Sequence, residues 1–275
     1  VVKVGKKRNL RRLIRSERRK IVRKFGLKST RRVRVQRGIK DRFQSGLELS
    51  RRYMDQIQAI FHEMGLPSEL AYLPLIESSF EIHARSHAGA LGMWQLMRRT
   101  GRRFLHVTSR LDERKDPLES TRAAARVLEE NYKAFESWPL AITAYNHGQE
   151  GVSRGVRRVG SKDLMELIKH YRSRAFGFSS KNFYAEFLAA VKVAQNAEKY
   201  FPGIDYASPF PLDELELGRP IPVAPLLRST KVSKQEFLIW NPALSRRITY
   251  LPEWYRIKVP ADRMQAFAAA YEKIV

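Results

Sequence analysis

The chain has 275 residues, of which 43% are hydrophobic and 29% are charged, and its formal net charge is +24. This composition is typical of a folded globular protein, and the length allows one large domain or two smaller ones. No apolar run approaches the ~18–20 residues of a membrane-spanning helix, and the lack of cysteine excludes disulfides, thiolate metal sites and a cysteine nucleophile. The chain begins at Val1 without a signal-peptide pattern, so we expect a processed chain whose targeting segment has been removed.

Most of the positive charge lies in a basic arm, which we define as residues 1–42. The arm holds 19 Lys and Arg against two acids, a net charge of +17, and this leaves +7 for the rest of the chain. Such an arm attracts polyanions such as nucleic acid, anionic lipid or an acidic wall polymer, and the alternative is a solvated tail. It has almost no aromatic residues for base stacking and no zinc-finger or RNP signature, so we do not expect dedicated nucleic-acid binding.

Helical periodicity begins at Leu47, where apolar residues recur at three- and four-residue spacing. This pattern predicts a helix that Gly65 stops. Pro67 and Ser68 then predict the start of a second helix, which runs through the apolar segment 70–76.

A glycine-containing segment follows, and helices resume after it. Residues 81–92 hold two histidines, a serine and two glycines, which is typical of a loop, and a helix is predicted over 91–102. Ser120 and Thr121 are expected to cap the next helix, whose apolar face continues toward Tyr132.

The remaining patterns predict more helices and then a change of structure. Trp138–Tyr145, "KDLMELIKHY" and "NFYAEFLAAVKVAQNAEKYF" are each predicted to be helical. Between Phe201 and residue 234 six prolines interrupt the chain, and a short helix over 234–240 then precedes the strand-like "WYRIKV". The fold class is therefore predicted as mainly α, with a small C-terminal α+β module.

Glu77 is the leading candidate for chemistry. It follows the apolar run 70–76, and a carboxyl group that loses hydration there has a raised pKa and keeps a proton near neutral pH. A general acid needs such a proton to protonate a poor leaving group such as a glycosidic oxygen. The plainer alternative is a glutamate at a helix end that points into solvent.

A second carboxylate is not evident in the sequence. Glu81 would share a helix face with Glu77 only if the helix continued, and it is otherwise a surface charge at the start of the loop. The H-x3-H spacing of His83 and His87 lacks a third metal ligand, and Ser78 lacks a His/Asp partner. We therefore predict no metal and no cofactor.

Several segments together resemble a known family. These are "LPLIESSF", "SHAGALGMWQLM", "STRAAARVLEENY" and "AITAYNHG", in this order and spacing. They are similar to the catalytic domain of lytic murein transglycosylases, most of all to the membrane-bound D group, over roughly residues 36–200.

The resemblance implies a lysozyme-like helical domain in which Glu77 is the lone catalytic acid and base. Its substrate would be the glycan strands of peptidoglycan, cut at the β-1,4 bond between N-acetylmuramic acid and N-acetylglucosamine. The muramyl C6 hydroxyl would then attack C1 and leave a 1,6-anhydro end, so the sugar itself supplies the nucleophile. The alternatives are a hydrolytic muramidase on the same fold and a non-catalytic protein that binds the cell wall.

The resemblance also assigns substrate-binding residues. Ser78 would orient the site, small residues of the following loop would let its backbone approach the glycan, and Gln95 and Met97 would contact sugar near the cleavage point. Trp94 is either a sugar platform or a core residue. The substrate-binding positions carried over from the family are Ser78, Ser86, Gly89, Ala90, Gly92, Gln95, Met97, Tyr145, Asn146 and Tyr184. Relatives often have a tyrosine where "FLAA" aligns Phe183, and Tyr184 stands one place along.

The resemblance extends to the organisation of the chain. The C-terminal segment looks like a degenerate LysM module that lacks a clear first strand, and its role is either glycan binding or a structural cap. We expect the basic arm over 1–42, the catalytic domain over 43–204 and the LysM-like module over 205–275. The family places such a protein in the periplasm or cell envelope, where the arm would meet anionic wall polymers or the membrane surface.

Overall fold

The computed structural model describes residues 40–275 and, before them, residues 12, 15, 16, 19, 20, 22 and 23, which are helical. The rest of the basic arm, and with it the expectation for that arm, lies outside the described residues. No helix in the described part of the chain combines the length and apolar composition that a membrane span requires. The prediction of a mainly α fold is confirmed.

Residues 40–200 form helices joined by turns and a long loop. The 3₁₀ turns are Ser68–Tyr72 and Glu113–Lys115. The helices, α1 to α10, are Lys40–Ser50, Met54–Glu63, Leu73–Glu77, Arg98–Gly101, Pro117–Phe135, Trp138–His147, Gln149–Val159, Leu164–His170, Phe178–Ala194 and Ala197–Tyr200.

The C-terminal part combines short strands with three helices. Strand β1 pairs antiparallel with β4, and β2 pairs antiparallel with β3. A 3₁₀ turn, Ala261–Arg263, leads into the last helix. The elements are β1 (Leu212–Glu216), β2 (Ile221–Pro222), α11 (Val223–Thr230), α12 (Lys234–Trp240), β3 (Tyr250–Leu251), β4 (Arg256–Pro260) and α13 (Met264–Ile274).

The predicted helix from Leu47 to Gly65 is wrong in its continuity. The chain instead forms α1 and α2, separated by a turn over 51–53. The Ser50 hydroxyl donates to the Leu47 carbonyl at 2.7 Å, and Tyr53 N–H donates to the Ser50 carbonyl three residues back rather than four. A side chain that takes up a backbone acceptor in this way competes with the helix.

The second predicted helix is also divided. Pro74 has no N–H to donate to residue 70, so a 3₁₀ turn leads into the short α3. The predicted helix over 91–102 is wrong except for α4. Gln95, at φ 48°, lies in the left-handed region, and Leu91 pairs with Leu96 across a tight turn instead.

The predicted cap of α5 is wrong by a few residues. Asp116 is the N-cap, and its Oδ1 accepts from the N–H groups of Leu118 and Glu119, both at 2.9 Å. Ser120 and Thr121 lie inside the helix, where their hydroxyls donate to carbonyls four residues back. Pro at N1 requires the cap at the preceding residue, and that signal was available in "DPLEST".

Three groups of buried side chains hold the described residues together. The largest lies among α2, α3, α5 and α9, a smaller one lies beneath α6, α7 and α8, and the third lies in the C-terminal part. Representative members are Ile57, Phe61, Leu73, Trp94, Leu128 and Phe187 in the first, Leu140, Val152 and Leu167 in the second, and Phe237, Tyr255, Ile257 and Phe267 in the third.

A buried ionic cluster joins the C-terminal part to α5. Lys258 on β4 is 1% exposed, and its Nζ lies 3.1 Å from Asp116 Oδ2, 3.1 Å from Glu119 Oε1 and 3.5 Å from Glu214 Oε1. Burial lowers the pKa of Lys258, but the three carboxylates outweigh burial and raise it above its ordinary value. Arg122 extends the cluster by contacting both Glu119 and Glu214.

Candidate active site

Glu77 is the last residue of α3, at a point where the chain reverses. Ser78 leaves the helix at φ −142°, and Ser79 and Phe80 both adopt left-handed backbone conformations, at φ 57° and 60°. The N–H groups of Ser78 and Phe80 both donate to the carbonyl of Pro74. This reversal ends the helix directly after the carboxylate, so Glu81 does not share a helix face with Glu77.

The surroundings of Glu77 are apolar. Leu73, Pro74 and Leu75 of the same helix are buried, and burial raises the pKa of Glu77 from 4.5 to about 7. Within the described residues, no hydrogen bond or salt bridge reaches its carboxylate. The group therefore holds its proton in a substantial fraction of molecules near neutral pH, as a general acid must.

Ser78 fastens the Glu77 turn to the following loop. Its buried hydroxyl donates to the Met93 carbonyl at 2.8 Å. Trp94, next along the chain, is fully buried, and its indole N–H donates to the Thr121 hydroxyl of α5 at 2.8 Å. Trp94 is thus a core residue that anchors the loop and not an exposed platform.

The loop over 84–97 holds its shape through its own polar groups. The Ser86 hydroxyl accepts from Ala90 N–H at 2.9 Å, across a turn in which Gly89 adopts φ 90°. Gln95 Nε2 donates to the carbonyls of Ala84, at 3.2 Å, and Gly92, at 2.8 Å. The Gln95 amide group is thereby directed into the loop.

Arg114 also holds this loop in place, a role that the sequence analysis did not predict. Its Nη1 donates to the carbonyls of Gly89 at 3.2 Å and Leu96 at 3.1 Å, while Nε and Nη2 hold Asp112. A Cβ on Gly92 would lie 1.8 Å from the Arg114 carbonyl oxygen, so only glycine fits there. The acidic and basic residues of "LDERKD" show no periodic pattern that would predict this role for Arg114.

Tyr145 on α6 lies within electrostatic reach of Glu77. Its hydroxyl donates to the Trp94 carbonyl at 2.8 Å, and burial first and the charge of Glu77 second raise its pKa well above the ordinary value. The phenol therefore stays protonated as a donor. Of the predicted site residues, Tyr145 is linked to Glu77 by charge, and Ser78 and Tyr145 both hold the turn at Met93 and Trp94 through its carbonyls.

The other predicted positions have no hydrogen bond or salt bridge to Glu77 among the described residues. Met97 is 43% exposed beside the loop. Asn146 is exposed, and its Oδ1 accepts from the Ser180 hydroxyl at 3.4 Å. On α9, Phe183 is buried, whereas Tyr184 is partly buried and packs against both helical core groups.

The remaining acids of the loops serve other partners. Glu81 is exposed, and its Oε1 accepts from His83 N–H at 3.2 Å. Asp112 pairs with Arg114, and Asp116 caps α5. Burial raises the pKa of Glu113 to about 7, but its Oε2 accepts from His106 N–H at 2.7 Å. Within the described residues, no carboxylate forms a pair with Glu77.

Comparisons with known proteins find one family model and several similar proteins. The model of the transglycosylase SLT domain matches residues 56–168. Membrane-bound lytic murein transglycosylase D from Escherichia coli (strain K12) is 29% identical over 198 residues, which cover 69% of this chain and 42% of that protein. A protein named for tributyltin chloride resistance from Alteromonas sp. (strain M-1) is 38% identical over 112 residues, which cover 40% of this chain and 54% of that protein.

One solved structure also matches part of this chain. An inactive mutant of the lytic transglycosylase Slt from Pseudomonas aeruginosa matches with a TM-score of 0.43 and 21% identity, over 56% of this chain and 25% of that chain. The chain spans less than half the length of the E. coli relative. The family model and the E. coli relative confirm the resemblance found in the sequence. Residues 56–168 thus match the transglycosylase SLT domain, and the chain is similar to membrane-bound lytic murein transglycosylase D.

Proposed function

We propose that this protein is a peptidoglycan lytic transglycosylase. It cleaves the β-1,4 bond between N-acetylmuramic acid and N-acetylglucosamine and forms a 1,6-anhydro-muramic acid end. The single observation that carries the proposal is Glu77, a carboxyl group with a pKa of about 7 and no carboxylate partner among the described residues. One acid that also acts as the base is enough for a reaction in which the sugar supplies its own nucleophile.

In the proposed reaction, protonated Glu77 gives its proton to the glycosidic oxygen, and the bond from that oxygen to muramyl C1 breaks. The Glu77 carboxylate then takes the proton of the muramyl C6 hydroxyl as that oxygen attacks C1. The proton returns to Glu77, so the enzyme is regenerated without water. The Tyr145 hydroxyl and the Ser78 hydroxyl hold the surrounding turns through the carbonyls of Trp94 and Met93.

The other predicted positions form the proposed glycan cleft. Small residues at the Ser86–Gly89 turn bring backbone groups to the surface, and exposed Met97 offers an apolar contact for a sugar ring. Asn146 and Tyr184 are the proposed contacts on the opposite helices, α6 and α9. Their polar groups are available for hydroxyl and acetamido groups of the substrate.

The test is mass spectrometry of the soluble products released from purified sacculi. We expect muropeptides with 1,6-anhydro ends, and we expect Glu77→Gln to reduce their release by about 10²–10⁴-fold with an unchanged circular dichroism spectrum. Glu81→Gln, a nearby exposed acid, is the matched control and retains activity. Reducing ends would identify a hydrolytic muramidase, and binding without any product would identify a wall-binding protein.

We further propose that residues 205–275 form a LysM-like module and that residues 43–204 form the catalytic domain. Strand β2, helices α11 and α12, and strand β3 follow one another, and the two strands pair antiparallel. The 63% exposed Tyr250 on β3 is available to stack on a sugar. Weaker binding of Tyr250→Ala to sacculi supports this role, and unchanged binding removes it.

The basic arm and the location of the protein are also proposals. We place the protein in the periplasm or cell envelope, where the arm meets anionic wall polymers or a membrane surface. The net charge of +17 over residues 1–42 supports an electrostatic attraction that salt screens within about 8–10 Å. Binding of the full chain to sacculi should weaken with salt more steeply than binding of a chain without residues 1–42.

A further inference from the structure

A pocket lies beside the loop that contains Gly89. It has a volume of about 210 Å³ and is bounded by the loop, by residues 108–115 and by residues 243–245 of the C-terminal part. This volume suits a small ionic group and not a polymer. The charged residues that line it are Arg85, Arg98, Arg110, Arg114, Lys115 and Asp112.

The pocket has an excess of positive charge. Asp112 neutralises only Arg114, which it holds through two hydrogen bonds at 2.8 and 2.9 Å. For Arg85, Arg98, Arg110 and Lys115, no salt bridge exists within the described part of the chain. Four cations are thus gathered without a counter-charge, an arrangement that favours an anion.

One residue that lines the pocket carries an unpaired hydroxyl group. The Ser245 hydroxyl is buried and has no hydrogen-bond partner among the described residues, although the residue lines the pocket. Its position is fixed, because Ser245 N–H donates to the Arg110 carbonyl at 2.8 Å and Leu244 forms a β-bridge with Leu111. A buried hydroxyl without a partner costs stability unless a ligand or water completes it.

We propose that this pocket binds a carboxylate group of the peptide stem on the glycan strand. The inference rests on the proposed function, because Arg85 and Gly89 belong to the loop that the proposal places beside the glycan, and both residues also line the pocket. Arginines offer the paired N–H groups that match a carboxylate, and the Ser245 hydroxyl supplies a further donor. The pocket is therefore a specificity site for glycan that carries peptide.

The test compares two soluble probes in a direct binding titration. One is a disaccharide with its peptide stem, and the other is the same disaccharide without peptide. Both are titrated into the full chain carrying Glu77→Gln, so that turnover plays no part. We expect the double variant Arg85→Gln/Arg110→Gln to bind the first probe about five- to tenfold more weakly and the second probe unchanged.

The controls separate this site from general charge. Arg157→Gln/Arg228→Gln removes two exposed arginines that do not line the pocket, and it should bind both probes as the parent does. Ser245→Ala should also weaken the first probe selectively. Equal losses for both probes, or equal losses in the control variant, would overturn the proposal. Tight binding of inorganic phosphate that the peptide-bearing probe does not displace would also overturn it.

This experiment also separates the site from the enzymatic activity. If sacculi release no anhydro products but the peptide-bearing probe binds through Arg85 and Arg110, then the proposed function fails and the pocket stands. If products form with the same kcat and KM in the arginine double variant, then the pocket fails and the function stands. The proposal itself predicts a raised KM with kcat unchanged.

Discussion

Glu77 ends a helix whose Leu73, Pro74 and Leu75 are buried, and its carboxyl group has no hydrogen bond or salt bridge among the described residues. In an unfolded chain the same group has its ordinary pKa of 4.5 and is ionised near neutral pH. Folding therefore raises the pKa of the Glu77 carboxyl group to about 7. Both the rate of the proposed reaction and the free energy of unfolding depend on this change in pKa.

The first prediction concerns the rate. Since Glu77 must hold its proton to protonate the leaving oxygen, kcat should fall as the pH rises through about 7. The measurement is the initial rate of anhydro-muropeptide release at saturating substrate between about pH 5 and about pH 9. A rate that stays constant to the upper end of this range would show that Glu77 is not the limiting acid.

The second prediction concerns stability. The folded chain holds the Glu77 proton more tightly than the unfolded chain, so the free energy of unfolding falls as the pH rises from 4.5 to about 7. Glu77→Gln removes this loss and should be more stable than the wild type by up to about 3 kcal/mol near pH 8, with little difference near pH 4. Urea unfolding of both proteins at the two pH values measures it. Glu113 contributes equally to both proteins and cancels.

Glu77 could be predicted from the sequence, but Arg114, which holds the neighbouring loop in place, could not. Glu77 was recognisable because an apolar run ends in a single carboxylate beside a familiar motif, and that pattern is local. Arg114 was not recognisable, because its role depends on the carbonyls of Gly89 and Leu96, which only folding brings to it. The position of Glu81 likewise depends on the left-handed backbone of Ser79 and Phe80, which the identities of these two residues do not predict.

Helix α5 begins at a residue that makes both a local contact and a long-range contact. Its N-cap Asp116 uses one carboxylate oxygen for the backbone and the other for Lys258 of β4. The cap was predictable from the proline that follows it, whereas the cation lies 142 residues farther along the chain. Helices were predicted well where the segment was continuously apolar, as for Trp138–Tyr145, and poorly where a hydroxyl or a proline interrupted the backbone hydrogen bonds.

The third prediction tests this cluster. Lys258→Met leaves Asp116, Glu119 and Glu214 without their shared cation, and it should lower the free energy of unfolding by about 3–5 kcal/mol. Adding Asp116→Asn keeps a capping oxygen and removes one charge, so the double variant should lose less than Lys258→Met alone. Chemical denaturation of the two single variants and the double variant gives the coupling energy.

Substitution of an exposed lysine is the control for Lys258→Met. Lys273→Met changes an exposed lysine of α13 and should alter the free energy of unfolding by less than about 0.5 kcal/mol. A loss in Lys258→Met no greater than in Lys273→Met would mean that the buried cluster contributes nothing to stability.

Across residues 41–275, the helical part and the C-terminal part are joined by more than chain connectivity. The Asp112 N–H donates to the Ala243 carbonyl at 2.9 Å, and the Gln56 side chain donates to the Leu212 carbonyl at 2.9 Å. Leu111, from the helical part, belongs to the C-terminal core group. Sequence composition placed a change of structure after Phe201, but it gave no sign of these contacts, because each one joins residues more than 100 positions apart.

The fourth prediction follows from this junction. Because buried charges and a shared core cross it, residues 41–275 should unfold in a single cooperative thermal transition. Differential scanning calorimetry of the full chain measures this through the agreement of the calorimetric and van't Hoff enthalpies. Two separate transitions, of which Lys258→Met lowers only one, would show that the two parts unfold independently.

The left-handed turn at Ser79 and Phe80 has a consequence for when the protein can act. L-residues enter this region at a cost, and here the packing of the native core has to meet it. A nascent or partly unfolded chain lacks that packing, and its Glu77 is a solvated, ionised carboxylate with no proton to give. In the proposed reaction, the acid can therefore act only after the residues around Glu77 have packed.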